Sequence, residues 1–385
     1  MGWWWVMFGG AALGFECPHG RPWLVDETRP LLGSSRSPGR VSVDLDLPPS
    51  QRWVAVGEAY RNQSYLITEY FLEFLPENVL DLLIEMFTPV SSYGGFGDYG
   101  PEMEGYARGL NVSVGLVVIA NLAYQLEHIG VSCDNWNTTG PTGQCFYKRG
   151  GSGGPCTSIV ADDKNFNVYH ARNLDWNLGD DLRGLIVDVD FIKNGTLFYT
   201  GTTVVSFVGI LNGMRPGFYS YSFDARCQGG VLAVNLVEAL STGAETPAQH
   251  ARRVFEAAPS TFAGFVGAMA SGDLLDDAYY ILGGVKDYEG TVLTRARNRA
   301  VDLWPLNETA WFRLETNYDH WDPVPAADDR RTPGNARMNN LTQANVNTTT
   351  LFHDILLQWP TFNSHTDVSC VMAAFDSTYE CRVAA

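Results

Sequence analysis

The stretch "GGSGGPCTSIVADD", residues 150–163, decides how the rest of this sequence is interpreted. A glycine-rich run ends at Pro155, and Cys156 then opens a run of apolar and β-branched residues that is typical of a buried strand. Three explanations are open for a thiol at this boundary: a disulfide anchor, a small buried hydrophobe, or a nucleophile placed at a new chain end.

The composition is that of an acidic globular protein. The chain has 385 residues, of which 45% are hydrophobic and 18% charged, so it is long enough to bury a large core. Its formal net charge of -17 argues against nucleic acid as a partner, because binding phosphates requires a basic face. Strong acidity also suits work at low pH, where part of the repulsion between carboxylates is titrated away.

Several features indicate the secretory pathway. Residues 1–20 contain an apolar run at 3–15 that we interpret as a signal peptide or a truncated leader. No later apolar stretch reaches the length of a membrane span. Glycosylation acceptors of the Asn-x-Ser/Thr type occur at Asn62, Asn111, Asn137, Asn194, Asn307, Asn340 and Asn347. We therefore expect a lumenal or secreted protein.

The cysteine pattern favours disulfides over metal binding. The chain has 7 cysteines, and an odd number leaves at least one thiol unpaired in an oxidising compartment. Cys370 and Cys381 are candidates for one bridge, and Cys133 and Cys145 for another. The sequence contains no Cys-x-x-Cys pair and its histidines have no zinc-ligand spacing, so it predicts no metal and no other cofactor.

The segment before Cys156 has a mainly helical pattern. Residues 77–87 place apolar side chains on one face between two prolines, and residues 113–127 are apolar almost all round. Both patterns predict helices, the second one buried. Residues 91–105, "SSYGGFGDYGPEMEG", are predicted to be a glycine-rich connector. Residues 131–155 have no periodic apolar pattern, so we expect a flexible, protease-accessible linker there.

After Cys156 the pattern changes to strands. The predicted hairpins pair "CTSIV" with "NVYHAR", "LIVDVDFI" with "TLFYTGTTVVSFVGI" across an Asn194-Gly195 turn, and "AYYILGG" with "GTVLTRAR". Helical patterns interrupt them at "PAQHARRVFEAA" and "TTTLFHDILLQW". Strands paired in sequence with helices between them predict an α+β fold of antiparallel sheets packed under helices, rather than a parallel doubly wound sheet.

The position of Cys156 has a chemical consequence. A chain that began at Cys156 after cleavage of the linker would carry a thiol and a free α-amine on one residue. An α-amine titrates at about 7.7–8, so it can accept the thiol proton without help from a histidine. The disulfide and buried-core explanations stay open at this point.

Four strings resemble one known family. They are "CTSIVADD", "YHARNLDW", "FYTGTT" and "ETNYDHWDPVPAADDRRT". Together they resemble the acid amidases of the N-terminal nucleophile hydrolase superfamily, namely the family of N-acylethanolamine-hydrolysing acid amidases and acid ceramidases. The resemblance implies an αββα sandwich of antiparallel sheets with a helical amino-terminal subunit packed on it. Residues 21–155 would form that amino-terminal (alpha) subunit, and residues 156–385 the catalytic (beta) subunit, which stay associated after self-cleavage between Pro155 and Cys156.

The resemblance also assigns catalytic roles around the cysteine. Cys156 would be the nucleophile and, through its α-amine, the base. Arg172 and Asp175 in "ARNLDW" would orient the terminal amine and thiol, and the charge of Arg172 would favour a thiolate. A strand-end salt bridge between Arg172 and Asp175 explains the same pair without catalysis.

Two further catalytic residues come from the last third of the chain. Asn317 in "TNYDHW" would donate to the oxyanion of the tetrahedral intermediate, and a neutral amide does this in acid without titrating. Its alternative is an ordinary turn asparagine. Arg330 of "DDRRT" would lie near the site, or would only pair with Asp328 or Asp329.

The sequence departs from the family pattern at three points. A glutamate usually precedes the arginine of "SFDARC", where this chain has Ala225, with Asp224 one position earlier. The linker before Cys156 is longer than the family's, and Pro155 restricts the geometry of the carbonyl at the predicted cleavage site. These departures keep a catalytically impaired lipid-binding homologue open as an alternative.

The function that the resemblance implies is that of a lysosomal, self-processing cysteine amidase. It would hydrolyse N-acylethanolamines to fatty acid and ethanolamine through a thioester on Cys156, with hydrolysis of ceramide as the alternative. A long acyl chain requires a dry apolar pocket with a polar mouth. The apolar helices before Cys156 would line that pocket, contact an anionic lipid membrane, or form plain core.

Overall fold

The computed structural model describes residues 35–384 apart from 74, 90–95, 129–155, 177, 227–242 and 326–327. The predictions for residues 1–20, for the linker at 131–155 and for a Cys133–Cys145 bridge therefore fall outside the described residues. The predicted helices and hairpins fall inside them.

Two β-sheets form the centre of the molecule. The strands are β1 (Gly39–Asp44), β2 (Thr157–Asp162), β3 (Val168–Asp175), β4 (Ile186–Lys193), β5 (Thr196–Val204), β6 (Asn212–Arg215), β7 (Tyr219–Ala225), β8 (Ala278–Gly283), β9 (Gly290–Ala296), β10 (Arg299–Pro305), β11 (Phe312–Glu315), β12 (Thr366–Ala373) and β13 (Thr378–Val383). One sheet has eight strands in the order β1-β4-β5-β6-β7-β8-β9-β10, and the other has five in the order β11-β2-β3-β12-β13. Neighbouring strands are antiparallel, as predicted, except that β1 runs parallel to β4.

Helices lie before β2 and between the later strands. Those before β2 are α1 (Pro49–Arg52), α2 (Val54–Tyr60), α3 (Tyr65–Leu72), α4 (Glu77–Phe87), α5 (Tyr99–Leu110) and α6 (Val114–His128), with a 3-10 turn at Arg61–Gln63. Those after β3 are α7 (Gly179–Arg183), α8 (Pro247–Ala257), α9 (Phe262–Met269), α10 (Arg331–Leu341) and α11 (Thr348–Thr350), with a 3-10 turn at Gln343–Asn345 and a π-helix at Leu351–Leu356. The four helices predicted from the sequence are thus confirmed.

The two sheets face each other, and each carries helices on its outer face. Between the sheets, Val160 of β2 packs in one cluster with Ile281 of β8. Outside the eight-stranded sheet, Phe265 of α9 stacks on Tyr219 of β7 with ring centroids 3.9 Å apart. Outside the five-stranded sheet, a further cluster joins strands to helices: Ile159, Ala171, Leu314, Met338, Leu351 and Ile355. These layers confirm the αββα sandwich.

The predicted hairpins are present. Asn194 and Gly195 join β4 to β5 with φ angles of 51° and 71°, in the left-handed region that Asn and Gly tolerate best. The prediction that the second strand of this hairpin extends to residue 210 is wrong, because β5 ends at Val204. Ser206 has a φ of 81°, which extended backbone does not allow, so the chain leaves the sheet there.

The predicted connector at residues 91–105 is partly wrong, because α5 begins at Tyr99. Gly105 and Gly109 of this helix serve close packing, whereas Gly97 lies in the turn before it with a φ of 52°. A Cβ at Gly105 would lie 2.4 Å from the carbonyl oxygen of Ser50, and one at Gly109 would lie 2.4 Å from that of Val54. Glycine in a helix costs intrinsic stability but lets two helix backbones approach, which a propensity argument does not anticipate.

The predicted buried helix is α6, in which residues 115–124 are buried. In the described ranges, no single helix is both long and apolar enough to cross a membrane. The helix Tyr99–Leu110 and residues Val114–Tyr124 meet that criterion only when taken together, and they are bent by 115° at their junction.

The amino-terminal segment (residues 35–128) and the carboxy-terminal segment (residues 156–384) share one core. β1 of the first segment pairs with β4 of the second along its whole length. Glu102 of α5 and Arg252 of α8 are both fully buried and form a two-bond ion pair, in which Nη2 donates to Oε1 at 2.8 Å. Trp53 Nε1 and Arg52 Nη1 donate to the same carboxylate at 2.6 and 2.9 Å. These residues form the ion cluster between the segments.

Candidate active site

Cys156 is the residue directly before β2 and is fully buried. Of the cysteines in the described ranges, Cys370 and Cys381 form the predicted disulfide, and Cys156 is free. The explanation of Cys156 as a disulfide anchor is therefore wrong for this structure. Two explanations of Cys156 are left: a thiol that only packs in the core, and a nucleophile.

Three groups that can donate hydrogen bonds lie near the Cys156 Sγ. Arg172 Nη2 lies 3.6 Å from it, and the hydroxyl of Tyr124 lies 3.7 Å from it. The backbone N–H of Asp175 also donates to it. A cation and N–H groups around sulfur are the surroundings that hold negative charge on a thiolate.

Arg172 reaches the thiol because of the alternation of β3. Ala171 faces the outer helices, whereas His170 and Arg172 point between the two sheets. Arg172 is fully buried and donates to the carbonyls of Leu211 and Phe223 at 2.7 and 3.1 Å. These bonds fix the guanidinium beside the sulfur.

Burial raises the pKa of the Cys156 thiol above its ordinary value, and the carboxylates of Asp224 and Asp175 act in the same direction. Arg172 and the backbone N–H of Asp175 act against them and do not outweigh burial. Arg172 therefore acts in the expected direction and lowers the pKa of the thiol. The combined effect of all the surroundings is nevertheless a raised pKa, which disfavours the thiolate. A nucleophilic Cys156 requires a base that removes its proton.

Arg330 connects Cys156 with Asn317. Its Nη1 donates to the carbonyl oxygen of Cys156 and, at 3.0 Å, to Thr157 Oγ1. Its Nη2 donates to Asn317 Oδ1 at 3.0 Å. Its Nε donates to Asp328 Oδ1 at 2.6 Å, so the predicted pairing with Asp328 is also formed. The two interpretations of Arg330 are therefore compatible.

Asn317 lies in the loop between β11 and α10, and its amide orientation is determined by its neighbours. Oδ1 accepts from Arg330, and Nδ2 donates to the carbonyl of Ala225 at 2.9 Å. Arg226 holds the same loop by donating to both carboxylate oxygens of Asp319 at 2.8 and 2.9 Å. The second N–H of Nδ2 is left to donate to a ligand.

Asp175 ends β3 and accepts from Asn363 Nδ2 at 2.8 Å. Burial raises the pKa of Asp175 to about 7, against the opposing effects of Arg330 and of hydrogen bonds from Thr366 and Asn363. The alternative explanation, an ion pair with Arg172, is not formed among the described contacts, because each side chain has other partners. Asp175 is thus a carboxyl beside the thiol that is neutral in acid.

Asp224 of β7 is a second buried carboxyl near the thiol and was not among the predicted catalytic residues. Ser158 Oγ donates to it at 2.8 Å. Burial raises the pKa of Asp224 to about 7, and Arg172 opposes the shift. The sequence signal is the alternation in "YSYSFDA", whose polar positions all belong to one face of a strand that is buried throughout.

Tyr124 of α6 also lies at the site without having been predicted there. Its ring is in edge contact with Trp176 and Phe223, with both centroids at 5.0 Å, and Phe207 packs on Trp176. These rings form an aromatic wall that reaches the thiol through Tyr124. Nothing in the apolar pattern of "NLAY" distinguishes this tyrosine from a core residue.

The described side chains offer no evident metal centre. Within those ranges, no group of three or more His, Cys, Asp or Glu side chains is placed to hold a metal ion. The polar groups around Cys156 are instead arginines, an asparagine and carboxyls that are hydrogen-bonded to protein donors.

A family model described as "beta subunit of N-acylethanolamine-hydrolyzing acid amidase" matches residues 36–94. This match lies within the amino-terminal segment. The name of the model calls this part of the chain the beta subunit, whereas the family resemblance calls it the alpha subunit. The match does not extend to Cys156.

Similarity to individual proteins covers most of the chain. It is 34% identical to N-acylethanolamine-hydrolyzing acid amidase of Rattus norvegicus over 88% of its own length and 86% of that protein. It is 29% identical to acid ceramidase of Heterocephalus glaber over 97% of its own length and 94% of that protein. A solved structure, the "Caenorhabditis elegans N-acylethanolamine-hydrolyzing acid amidase (NAAA) ortholog", matches with a TM-score of 0.51 and 32% identity, covering 57% of this chain and 93% of that one.

Proposed function

The chain belongs to the family of N-acylethanolamine-hydrolyzing acid amidases and acid ceramidases, and from this premise we propose that it hydrolyses N-acylethanolamines to fatty acid and ethanolamine. Its class, a hydrolase of amide bonds, follows from the family. The nucleophile in the proposal is the thiol of Cys156. It becomes active when the chain cleaves itself between Pro155 and Cys156, after which the two segments stay together.

The contacts of Arg330 carry this proposal. One guanidinium donates both to the carbonyl of Cys156 and, at 3.0 Å, to the amide of Asn317. A second guanidinium, that of Arg172, lies with its Nη2 3.6 Å from the Cys156 Sγ. A thiol that served only as core packing would need neither contact. A nucleophile and its oxyanion donor have to be held in a fixed mutual geometry, and a link through one guanidinium would provide it for the two residues of this proposal.

Self-cleavage begins with the same thiol. Sγ attacks the carbonyl carbon of Pro155, the peptide C–N bond breaks, and the proton of the thiol passes to the nitrogen of Cys156. This leaves the Pro155 acyl group on sulfur as a thioester. Water hydrolyses the thioester to the carboxylate of Pro155 and regenerates the thiol, now with a free α-amine on the same residue.

In the cleaved protein the α-amine supplies the base that the raised thiol pKa requires. It accepts the S–H proton, and the thiolate attacks the amide carbonyl of the substrate. The second N–H of Asn317 Nδ2 donates to the oxyanion. The ammonium returns its proton to the leaving ethanolamine nitrogen as the C–N bond breaks. Water, deprotonated by the same amine, then hydrolyses the thioester on Cys156 and releases the fatty acid.

The surroundings of the site support a lipid substrate and an acidic lumenal compartment. The aromatic wall makes the buried surroundings of the thiol apolar, which suits an acyl chain. Every predicted glycosylation acceptor in the described ranges is exposed, which a lumenal glycoprotein requires; Asn137 lies outside them. We therefore assign the protein to the lysosome lumen, with peripheral contact to anionic membranes from which it takes its substrate.

The test of self-cleavage compares three samples of the purified full chain at about pH 4.5 and about pH 7.5. The wild type should yield a new chain beginning Cys-Thr-Ser-Ile-Val in acid, and Cys156→Ala should stay intact. In the third sample, Cys156→Ala is mixed with wild type. Cleavage of the variant there would point to a protease acting between molecules and would overturn self-processing. An intact wild type at both pH values would overturn it as well.

The substrate is tested on the cleaved protein. Release of fatty acid from palmitoylethanolamide is compared with release from a ceramide, because relatives of both kinds match this chain. A higher kcat/KM for the ethanolamide supports the proposal, and a higher value for the ceramide supports the alternative. A cleaved protein that binds both lipids without turnover would be the impaired homologue suggested by Ala225.

A further inference from the structure

Tyr124 brings a side chain of the amino-terminal segment to the sulfur of Cys156. It is 2% exposed, and its hydroxyl lies 3.7 Å from Sγ. Either group can donate while the thiol is protonated. Once Cys156 is a thiolate it has no proton to give, so only the phenol can donate.

The ring of Tyr124 has little freedom to move away. Trp176 and Phe223 contact it edge-on from the carboxy-terminal segment, both with centroids at 5.0 Å. Edge contacts of this kind prefer a defined ring orientation. The hydroxyl is therefore aimed at the sulfur by packing.

One turn earlier, Asn121 fixes the rotation of α6. Its Nδ2 donates to the carbonyls of Val117 and Ser206, both at 2.8 Å, and its Oδ1 accepts from the backbone N–H of Val208 at 2.8 Å. Residues three apart share one face of a helix, so the bonds of Asn121 hold Tyr124 toward the same neighbouring segment. The proposed cut between Pro155 and Cys156 breaks none of the contacts of Asn121 and Tyr124.

We propose that Tyr124 is a catalytic residue that donates a hydrogen bond to the thiolate of Cys156, so that the amino-terminal segment completes the active site. The inference rests on the proposed role of Cys156 as nucleophile. Arg172 stabilises the thiolate by charge, and Tyr124 does so as a neutral donor. No proton leaves Tyr124: as the S–C bond forms, negative charge passes from sulfur to the carbonyl oxygen, and the hydrogen bond weakens.

The protonation state of Tyr124 agrees with this role. Burial raises the pKa of Tyr124 well above its ordinary value, and the neighbouring thiolate acts in the same direction. The phenol therefore keeps its proton at any pH at which the protein works. A donor that does not titrate adds no pH dependence of its own.

The test measures the reactivity of Cys156 in the cleaved protein. Wild type and Tyr124→Phe are labelled with iodoacetamide across a range of pH, and labelling of the peptide that starts at Cys156 is followed by mass spectrometry. A hydrogen bond to a charged group predicts that Tyr124→Phe is labelled about tenfold more slowly in acid, with the labelling profile moved to higher pH and kcat lowered to a similar extent.

Tyr99→Phe is the matched control. Tyr99 is another buried tyrosine of the amino-terminal segment, and its hydroxyl donates to the carbonyl of Gln249 at 2.9 Å rather than to sulfur. Its variant should leave the labelling profile of Cys156 unchanged. If Tyr124→Phe fails to fold, 3-fluorotyrosine at position 124 replaces it. This more acidic phenol is a stronger donor and should speed labelling in acid.

The outcomes separate this inference from the proposed function. An unchanged labelling profile in Tyr124→Phe or in the fluorotyrosine protein overturns the role of Tyr124 alone. Amide hydrolysis by Cys156→Ala overturns the proposed function. If the fully buried wild-type Cys156 is not labelled at any pH, kcat decides instead, and an unchanged kcat in Tyr124→Phe overturns the role of Tyr124.

Discussion

Replacing Arg252 by methionine removes the centre of the ion cluster between the two segments. Arg252 donates to both oxygens of Glu102, to the carbonyl of Val208 at 2.8 Å, and its Nε lies 2.9 Å from a carboxylate oxygen of Glu256. Neither Arg252 nor Glu102 is reached by solvent. Methionine keeps an apolar stem of similar length, so the loss is mainly that of the charge and its hydrogen bonds.

The magnitude follows from what remains around Glu102. Removing one partner of a buried ion pair costs about 3–5 kcal/mol, because the other charge stays buried. Glu102 keeps two donors, Arg52 Nη1 at 2.9 Å and Trp53 Nε1 at 2.6 Å. We therefore expect a loss of free energy of unfolding at the lower end, about 3 kcal/mol.

Urea unfolding in a Cys156→Ala background, which keeps the chain uncut, measures this loss. The control is Arg253→Met, the next residue, whose side chain is 51% exposed and pairs with Glu245 at 2.7 Å. An exposed pair contributes less than about 1 kcal/mol. The reasoning is refuted if Arg252→Met and Arg253→Met differ by less than about 1 kcal/mol. Adding Glu102→Gln to Arg252→Met should recover part of the loss, because the fully buried carboxylate is then neutral, while Arg52 keeps the carbonyls of Leu45 and Leu47 as acceptors.

Three further predictions concern pH, the oxyanion donor and helix packing. Because burial raises the pKa of Asp175, Asp224 and Asp276 to about 7 and that of Glu315 to about 8, the folded chain holds protons that the unfolded chain binds only near about pH 4. Burial lowers the pKa of His170 and His250 to about 3, so the unfolded chain binds protons at these two side chains from about pH 6.5 downward, which opposes the effect of the carboxyls. Because the four carboxyls have the larger combined shift, Tm of Cys156→Ala should still rise as the pH falls from about 8 to about 5, and a constant or falling Tm would contradict these shifts. Asn317→Ala should lower kcat by about 10²–10³-fold with little change in KM. The control Asn345→Ala, in an exposed turn, should leave kcat unchanged. Equal kcat values in the two variants would exclude Asn317 as oxyanion donor. Gly105→Ala places a Cβ 2.4 Å from the carbonyl oxygen of Ser50 and should lower the free energy of unfolding in urea by about 1–3 kcal/mol. Gly267→Ala, whose Cβ would have nothing within 4 Å, should raise it by about 0.5–1 kcal/mol. An unchanged free energy of unfolding in Gly105→Ala would contradict the close packing at that position.

The parts of the fold that could be predicted are those specified by nearby residues. The Asn194-Gly195 turn and its flanking strands are encoded within one stretch, and so is the amphipathic helix Glu77–Phe87. β1 could not be predicted in the same way, because it pairs with β4, and its register depends on residues far along the chain. The helix at Tyr99–Leu110 was missed because its glycines fit the shape of a neighbouring helix.

The candidate site divides similarly. Cys156 could be singled out from its position after a glycine-rich linker, and the structure places Arg172, Asp175, Asn317 and Arg330 around it. The residues alone gave no reason to join Cys156 to Asn317; the family resemblance did. Asp224 belongs to the polar face of "YSYSFDA", but that alternation does not say which residue the face meets. Tyr124 comes from an apolar helix and has no sequence signal that separates it from core residues.

The parallel pairing of β1 with β4 would change the molecularity of folding if the chain is cut as we propose. In the uncut chain the two strands are tethered, so that their pairing is an intramolecular event that does not depend on protein concentration. After the proposed cut they would belong to separate chains, and refolding would become a second-order encounter that slows with dilution. The mature protein would then be protected by the height of its unfolding barrier rather than by a reversible equilibrium. Maturation would be a one-way assembly, and the working lifetime of each molecule would end with its first complete unfolding.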